Sequence, residues 1–456
     1  MDLNYIGLNF PYLLKKIKYP RLPLDKKISG LFSLKEVIPY NTAKINISKK
    51  ITVITDSKQC SYSAFFPLIS NNAEKENVFS SAVLILIRAI IKKGGISIGC
   101  IKNDFKSFAD DTIQIQKDVM KTSCLLVDPL KECSGLMVRN YRDDDESSII
   151  EIHSIDVYTL KRICNREKVS SPSELHLKPV KNWSRYYGIT PHSMIEKIRL
   201  WEYKEIDIPK IMPWIRGLKI KIYPGNEIHE ALYLSGLYEP NTMLVLQKLL
   251  SPGDTFFDVG ANIGCFSLYA ARIVGSKGRV FAFEPSFREY KRLTENVKLN
   301  KLQNVKTINA ALSDSESKTK LNIACERHSG HNTLGENFIY KGVESVATEE
   351  VDTITIDKFV YTRSLGKIDM IKLDIEGWEY KALTGAQEVL KKYRPALIVE
   401  VIEKTLYDNR NPISQLEPFL SNLGYSFYEI DEETADLSPI SFLSQSHSQN
   451  IIAMFD

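Results

Sequence analysis

The stretch GDTFFDVGANIGCFSLYAARIVGSKGRVFAFEP, from Gly253 to Pro285, constrains this chain more than any other. An apolar run meets a turn with glycines at Gly260 and Gly264, a helix-like run follows, and a second apolar run ends at Glu284. Two apolar strands linked through a helix pair in parallel, because parallel neighbours need a crossover. The turn reads D-x-G-x-N-x-G, whereas a dinucleotide fingerprint reads G-x-G-x-x-G, with its second glycine letting backbone approach a pyrophosphate. Asn262 holds that close-approach position here, and Asp258 adds a carboxylate at the strand end. A carboxylate repels a pyrophosphate and attracts an ammonium or a sulfonium. The implied ligand is nucleoside-like with a cationic far end, which is the character of S-adenosylmethionine. Glu284 closes the next strand, where an acid accepts both ribose hydroxyls.

The same rhythm continues through NVKTINAAL (304–312), IDMIKLDIEG (368–377), PALIVEV (395–401), YSFYEI (425–430) and QNIIAMFD (449–456). With the first two runs these predict an α/β fold, a doubly wound, Rossmann-like sheet of seven strands, whose ligands sit beyond the carboxyl ends. Asp258, Glu284, Asp374 and Glu400 fall on that edge, and Asn309, Ala310 and Ala311 fall where a purine ring packs.

The N-terminal part is less informative. TVITD (52–56), ISIGCI (96–101), SCLLVD (123–128), SGLMVRNY (134–141) and IIEIHSID (149–156) read as strands, and 78–93, 155–166 and 190–204 as helices. A smaller α/β domain over 1–205 is expected, opening on a basic arm, with the boundary where IPKIMPWIRG (208–217) breaks the pattern. The longest apolar run, AVLILIRAII (82–91), is about half the roughly 20 residues that span a bilayer and contains Arg88, so it reads as a buried helix stopped by Gly94-Gly95. The formal net charge of +4 is matched by the excess of Lys and Arg before residue 30, which leaves no field for nucleic acid. Seven cysteines without a CxxC pair, and a start lacking a secretory pattern, point to a reducing cytoplasmic setting.

Taken together, the segment from about 218 to 456 resembles the FkbM-type family of S-adenosylmethionine-dependent methyltransferases. The resemblance rests on YEP at 238–240, DVGANIG, FEP, LTENVKLNKLQNV (293–305), NAALSD, SGHNTL (329–334) and IDMIKLDIEGWEYKALTGA (368–386). It implies the doubly wound methyltransferase sheet over 206–456, S-adenosylmethionine as cofactor, and O-methylation of a hydroxyl on a sugar, polysaccharide or natural product. A small-molecule or glycan partner follows, with no nucleic acid and no transmembrane segment. Two other classes stand beside it: a binding or scaffolding protein on an inactive methyltransferase domain, and a dinucleotide-dependent oxidoreductase. Intact turn and ribose acid count against the first, Asp258 and Asn262 against the second.

On this reading Asp258, Gly260, Ala261, Asn262 and Gly264 cradle the methionine portion, Glu284 holds the ribose, Pro285 belongs to the same cofactor site, and Glu239 touches the cofactor's polar end by family position. An alcohol acceptor is a poor nucleophile until deprotonated, so a base is expected. Asp374 leads, followed by Glu376 and His331, with binding of the cofactor's ammonium as the other role for Asp374. His328 and His331 with Glu326 read as a substrate-facing loop, so no metal ligand is assigned, although paired acids at a sheet edge are able to hold Mg²⁺.

Overall fold

The computed structural model describes residues 24–28, 32, 37–39, 43–47, 50–55, 62–68, 82–104, 106–115, 120–141, 146–160, 200, 203–204, 206–335, 338, 340, 342–401, 413–431, 434–443 and 450–455. They fall into two compact units, one drawn from residues before 206 and one from residue 206 onward. No helix among them is long and apolar enough to cross a membrane.

The unit before 206 is made of antiparallel strands in two sheets. One runs Lys44–Ile47, Ile51–Ile54, Ile149–Leu160, Val83–Lys93, Lys121–Val127, with Leu24–Ile28 also on Ile149–Leu160. The other runs Ile38–Pro39, Tyr62–Pro67, Cys133–Asn140, Gly95–Lys102, Phe108–Ile115. Val53, Ile85, Ile87 and Ile150 from the first pack with Phe66, Ile98, Leu136 and Val138 from the second. The expected α/β character of this region is therefore corrected to all-β among its described residues, apart from the turn Leu130–Glu132 and the helical residues 200 and 203–204. Val83–Lys93 is the instructive case. Its first five residues are all buried, so the alternation that marks a half-exposed strand is missing, and a buried strand then reads like a buried helix. Gly94, at φ 72°, carries the chain from one sheet into the other rather than ending a helix. Ile149–Leu160 likewise replaces the start of the expected helix at 155–166. Residues 78–81, 161–166 and most of 190–204 lie outside the described residues.

The second unit is built on eight strands: β1 (Thr255–Val259), β2 (Arg279–Phe283), β3 (Val305–Ile308), β4 (Met370–Leu373), β5 (Ala396–Glu400), β6 (Ser426–Ile430), β7 (Leu437–Ile440) and β8 (Asn450–Met454), in the order β3-β2-β1-β4-β5-β8-β6-β7. The first five pair in parallel, and β8 is antiparallel to both its neighbours. Each of the seven expected segments contributes a strand, but the expected count is corrected to eight among the described residues, β7 being the additional strand. The run 304–312 divides: β3 stays in the sheet, while Ala311–Leu312 pairs with Ser345–Ile354 in a second, three-stranded sheet completed by Ser317–Ala324.

Six helices matter here: α1 (Glu227–Ser235), α2 (Pro240–Leu249), α3 (Cys265–Val274), α4 (Phe287–Leu299), α5 (Ile356–Thr362) and α6 (Glu379–Thr384). All five residues of β1 are buried, as a parallel strand covered on both faces requires. On one face Asp258 meets Ser267 of α3. On the other, Phe257 joins Phe281, Phe283 and Phe359 of α5 in a cluster with ring centroids 4.9–5.7 Å apart. This cluster anchors the strands whose carboxyl ends form the site. Phe257→Ala should lower the unfolding free energy of this unit by about 3–5 kcal/mol, the usual result of emptying a ring-sized volume in a core. Urea denaturation checks it, and a loss below about 1 kcal/mol would remove the cluster as the anchor.

Candidate functional site

The strand order reverses at β1, which has β2 on one side and β4 on the other, so the loops after these strands part there and open a cleft. The glycine turn after β1 is shaped mainly by the protein itself. Gly260, at φ 81°, lies so near the loop after β4 that an added Cβ would come within 1.9 Å of the Asp374 carbonyl oxygen. Gly264, at φ 95°, opens α3 and faces Leu293 of α4. Asn262 takes the left-handed region without being glycine, at φ 47°. Its backbone N–H donates to Glu284 Oε2 at 2.9 Å, and Ser286 N–H donates to Glu284 Oε1 at 2.9 Å. Glu284 is thus aimed by both neighbouring loops and is 5% exposed. Burial, with Glu289 close by, pushes its carboxyl up to about 8. The Asn309 amide secures the end of β2 by donating to the carbonyls of Glu284 and Pro285, at 2.9 and 2.8 Å.

Two adjoining cavities share Gly260, Asn262, Gly330, Asp374 and Glu376 in their walls. The first is completed by Glu284, Pro285, Ala310, Ala311 and Trp378. The second is lined by Glu227, Glu239, Ala261, His328, His331, Tyr340, Lys372 and Glu400. Asp258, Gly264 and Asn309 line neither cavity. Asp258 lies beneath the turn, 1% exposed, where its Oδ2 accepts from Ser267 Oγ at 2.5 Å and its strand register sets it beside Lys372.

Lys372 escaped the sequence reading. It is 1% exposed on β4, its Nζ donating to Asp374 Oδ2 at 2.7 Å and lying 4.4 Å from the centre of the Phe266 ring. Burial opposes its charge, but Asp374, Glu239 and Asp258 together hold it protonated. Asp374 in turn is pushed up by burial, yet Lys372 outweighs that and keeps its carboxyl below the ordinary range. A lysine inside MIKL was the available signal, because an ammonium in a doubly covered strand has to be paired.

The D-x-E-G-x-E segment resolves into separate tasks. Asp374 faces Lys372. Glu379, at the start of α6, braces the turn by accepting from the N–H groups of Ile375 (3.0 Å) and Gly377 (3.3 Å). Glu376 sits between them at φ 52°, 8% exposed, with Oε1 accepting from His331 Nδ1 at 2.8 Å and Oε2 buried without a hydrogen-bond partner among the described residues. Burial raises its pKa. Glu400, at the end of β5, is driven well above the carboxylate range by burial and by Asp374. Glu239, at φ 39°, accepts from the Asn450 amide at 3.0 Å, and burial pushes it up to about 6.

His331 is brought together with Glu376 and also with a residue far away in sequence. Its Nε2 lies 3.3 Å from Glu227 Oε1, and His328 Nδ1 lies 3.2 Å from the same carboxylate. Although burial disfavours its charge, Glu227 and Glu376 lift His331 to about 10. Glu326, the acid nearest in sequence, is taken by Arg292 at 2.9 Å to each oxygen. Glu227 gave no sequence signal beyond an acid in the first turn of a helix.

Residues 258–427 match the family described as Methyltransferase FkbM domain. Methyltransferase sdnD of Sordaria araneosa is 29% identical over 218 residues, which is 42% of this chain and 80% of that protein. Hexuronic acid methyltransferase AglP of Haloferax volcanii is 30% identical over 169 residues, 36% of this chain and 62% of AglP, so the match spans under two thirds of that relative. 2-O-methyltransferase NoeI of Sinorhizobium fredii is 23% identical over 198 residues, covering 40% and 79%. With the motif series and the doubly wound sheet, these matches make residues 258–427 of this chain an FkbM-type methyltransferase domain.

Proposed function

We propose that residues 206–456 form an S-adenosylmethionine-dependent O-methyltransferase that acts on a hydroxyl of a sugar, polysaccharide or natural product. Glu284 carries the reading: a nearly buried carboxyl, oriented through both oxygens by backbone N–H groups, stands at the switch point with a raised pKa. Such a group is satisfied by hydroxyl donors, and a ribose supplies two. Ala310 and Ala311 offer an apolar wall beside it for a purine. The second cavity is lined by Glu239, Asp374, Glu376 and Glu400 with Lys372 as counter-charge, an excess of carboxyl groups that favours a cationic ligand end. AglP is named for a hexuronic acid and NoeI for a 2-O position, which supports an oxygen acceptor on a sugar-like molecule.

S-adenosylmethionine supplies, when bound, a methyl group already activated by a sulfonium. What the protein adds is alignment and removal of the acceptor's proton. Asp374 is a weak base because Lys372 occupies it and holds its pKa down. Glu376 fits the task better: its pKa is raised, its Oε2 has no hydrogen-bond partner among the described residues and it borders both cavities, while His331 fixes its other oxygen. The preferred base thus moves from Asp374 to Glu376, and Asp374 becomes the group that orients Lys372 and the cofactor's charged end.

The first test uses pH. Ribose hydroxyls favour the ionised carboxylate, so binding lowers the Glu284 pKa from about 8 and releases its proton. Affinity for S-adenosylhomocysteine should therefore rise with pH, by up to about tenfold per unit, and level off above about pH 8. Glu284→Gln should remove that slope and weaken binding by about 1.5–3 kcal/mol. Calorimetry from pH 6 to 9 measures both, with NAD as the comparator expected to bind far more weakly; a flat profile, or equal binding of NAD, overturns the assignment.

The second test separates base from binder, using the acceptor identified by labelled-methyl transfer to a cell extract. Glu376→Gln should lower turnover by about 10²–10⁴ while leaving cofactor affinity within a few-fold. Asp374→Asn should weaken cofactor binding and recover most of its rate at saturation. The reverse pattern would return the base to Asp374.

A further inference from the structure

The Glu227, His328 and His331 side chains meet on the wall of the second cavity, and the fold holds them there by contacts that the methyl-transfer reading does not use. Asn226 caps α1 through Oδ1, accepting from Ile228 N–H at 3.0 Å and His229 N–H at 3.3 Å. Its Nδ2 donates to Ser329 Oγ at 2.6 Å and to the Glu326 carbonyl at 3.0 Å. One side chain thereby pins the 326–331 turn to the helix start that carries Glu227. Arg292 fastens the same turn from the other side through Glu326.

We propose that Glu227, His328 and His331 form a binding site for a first-row divalent transition-metal ion, with the cavity-facing side left open for an oxygen ligand. One nitrogen from each histidine and one carboxylate oxygen lie mutually within 4.8 Å, and the two histidine-to-carboxylate separations are 3.2 and 3.3 Å. Two ligand atoms about 2.0–2.2 Å from one ion are separated by roughly 3.0–3.5 Å at octahedral to tetrahedral angles, so both histidine-to-carboxylate pairs already fit, and the two nitrogens, within 4.8 Å of each other, have at most about 1–2 Å to close. The set of two imidazoles and one carboxylate suits zinc, iron or manganese better than magnesium, whose preference is for oxygen alone. The second observation concerns what lies behind the ligands. His331 presents Nε2 to Glu227 while Nδ1 is bonded to Glu376 Oε1 at 2.8 Å, the carboxylate–histidine arrangement that orients a metal-bound imidazole and raises its basicity. Three protein ligands with an open side make a site for chemistry rather than a closed structural one. Its role rests on the methyl-transfer reading: the ion would hold the acceptor oxygen beside Glu376. The site itself rests on the ligand geometry alone.

The experiment uses the full chain, stripped with a chelator and titrated with Zn²⁺ by calorimetry and with Co²⁺ by visible absorption, both without S-adenosylmethionine. One equivalent of Zn²⁺ should bind with micromolar or tighter affinity, Co²⁺ should give ligand-field bands of a histidine-bound ion, and equimolar Mg²⁺ should not displace either. His328→Ala and Glu227→Gln should each weaken Zn²⁺ at least about 100-fold, and Glu376→Gln about 10–100-fold. Glu400→Gln should leave affinity within a few-fold, which separates this site from the neighbouring Asp374–Glu376–Glu400 carboxyl cluster. His328 is partly exposed, so its alanine variant should keep the wild-type circular dichroism and melting temperature; Glu227→Gln then reports on the ligand set without removing side-chain volume. Absence of binding at millimolar Zn²⁺, binding that survives His328→Ala and Glu227→Gln, or binding lost only in Glu400→Gln overturns the proposal. None of these outcomes touches cofactor binding at Glu284, so failure here leaves the methyltransferase reading standing.

Discussion

The Lys372 ammonium is the group around which the site is organised. A charge 1% exposed in the middle of a parallel sheet is tolerated only when carboxylates surround it, and three do so from three different elements. Asp258 comes from the next strand in register, Asp374 from the end of the same strand, and Glu239 from the residue before α2. Removing the lysine would leave those acids facing one another in a low-dielectric setting. Keeping it fixes the carboxyl ends of β1 and β4 against α2 and α3, and this determines where the cleft opens.

Strain gathers in the same place. Glu239, Asn262 and Glu376 are non-glycine residues at positive φ, and all three border the second cavity. Each is held by identifiable bonds: Glu239 by Asn450, Asn262 by Glu284, and Glu376 by His331 and by the Glu379 brace on its flanking backbone. Such conformations are of order 1–3 kcal/mol above relaxed backbone and persist where surroundings over-determine them. Here they turn carboxyl and amide side chains toward a shared space, the arrangement a preorganised electrostatic site needs.

Comparison of the two units explains why one was readable and the other was not. In the second unit, glycine turns, capping residues and strand-ending acids punctuate the pattern, so strand, turn and helix could be told apart. In the first, the opening five residues of Val83–Lys93 are all buried, and that continuous burial erases the period-2 signal. The polar residues of this run, Arg88 and Lys92, follow the five buried positions and come too late to mark the pattern.

What the sequence by itself determined was local: the crossover from β1 through α3 to β2, the seven strand segments, and Glu284 and Asp374 at strand ends on one edge. These follow from short-range periodicity and from the rule that parallel strands place their carboxyl ends together. Tertiary structure decided which side chains face one another. Glu227 reaches His328 across 101 residues, Asn450 reaches Glu239 across 211, and Glu326 is drawn off to Arg292 although it stands two residues from His328. The physical reason is that a charged side chain settles where burial and partners together minimise its free energy, and those partners are assembled only when helices and loops distant in the chain close over the sheet.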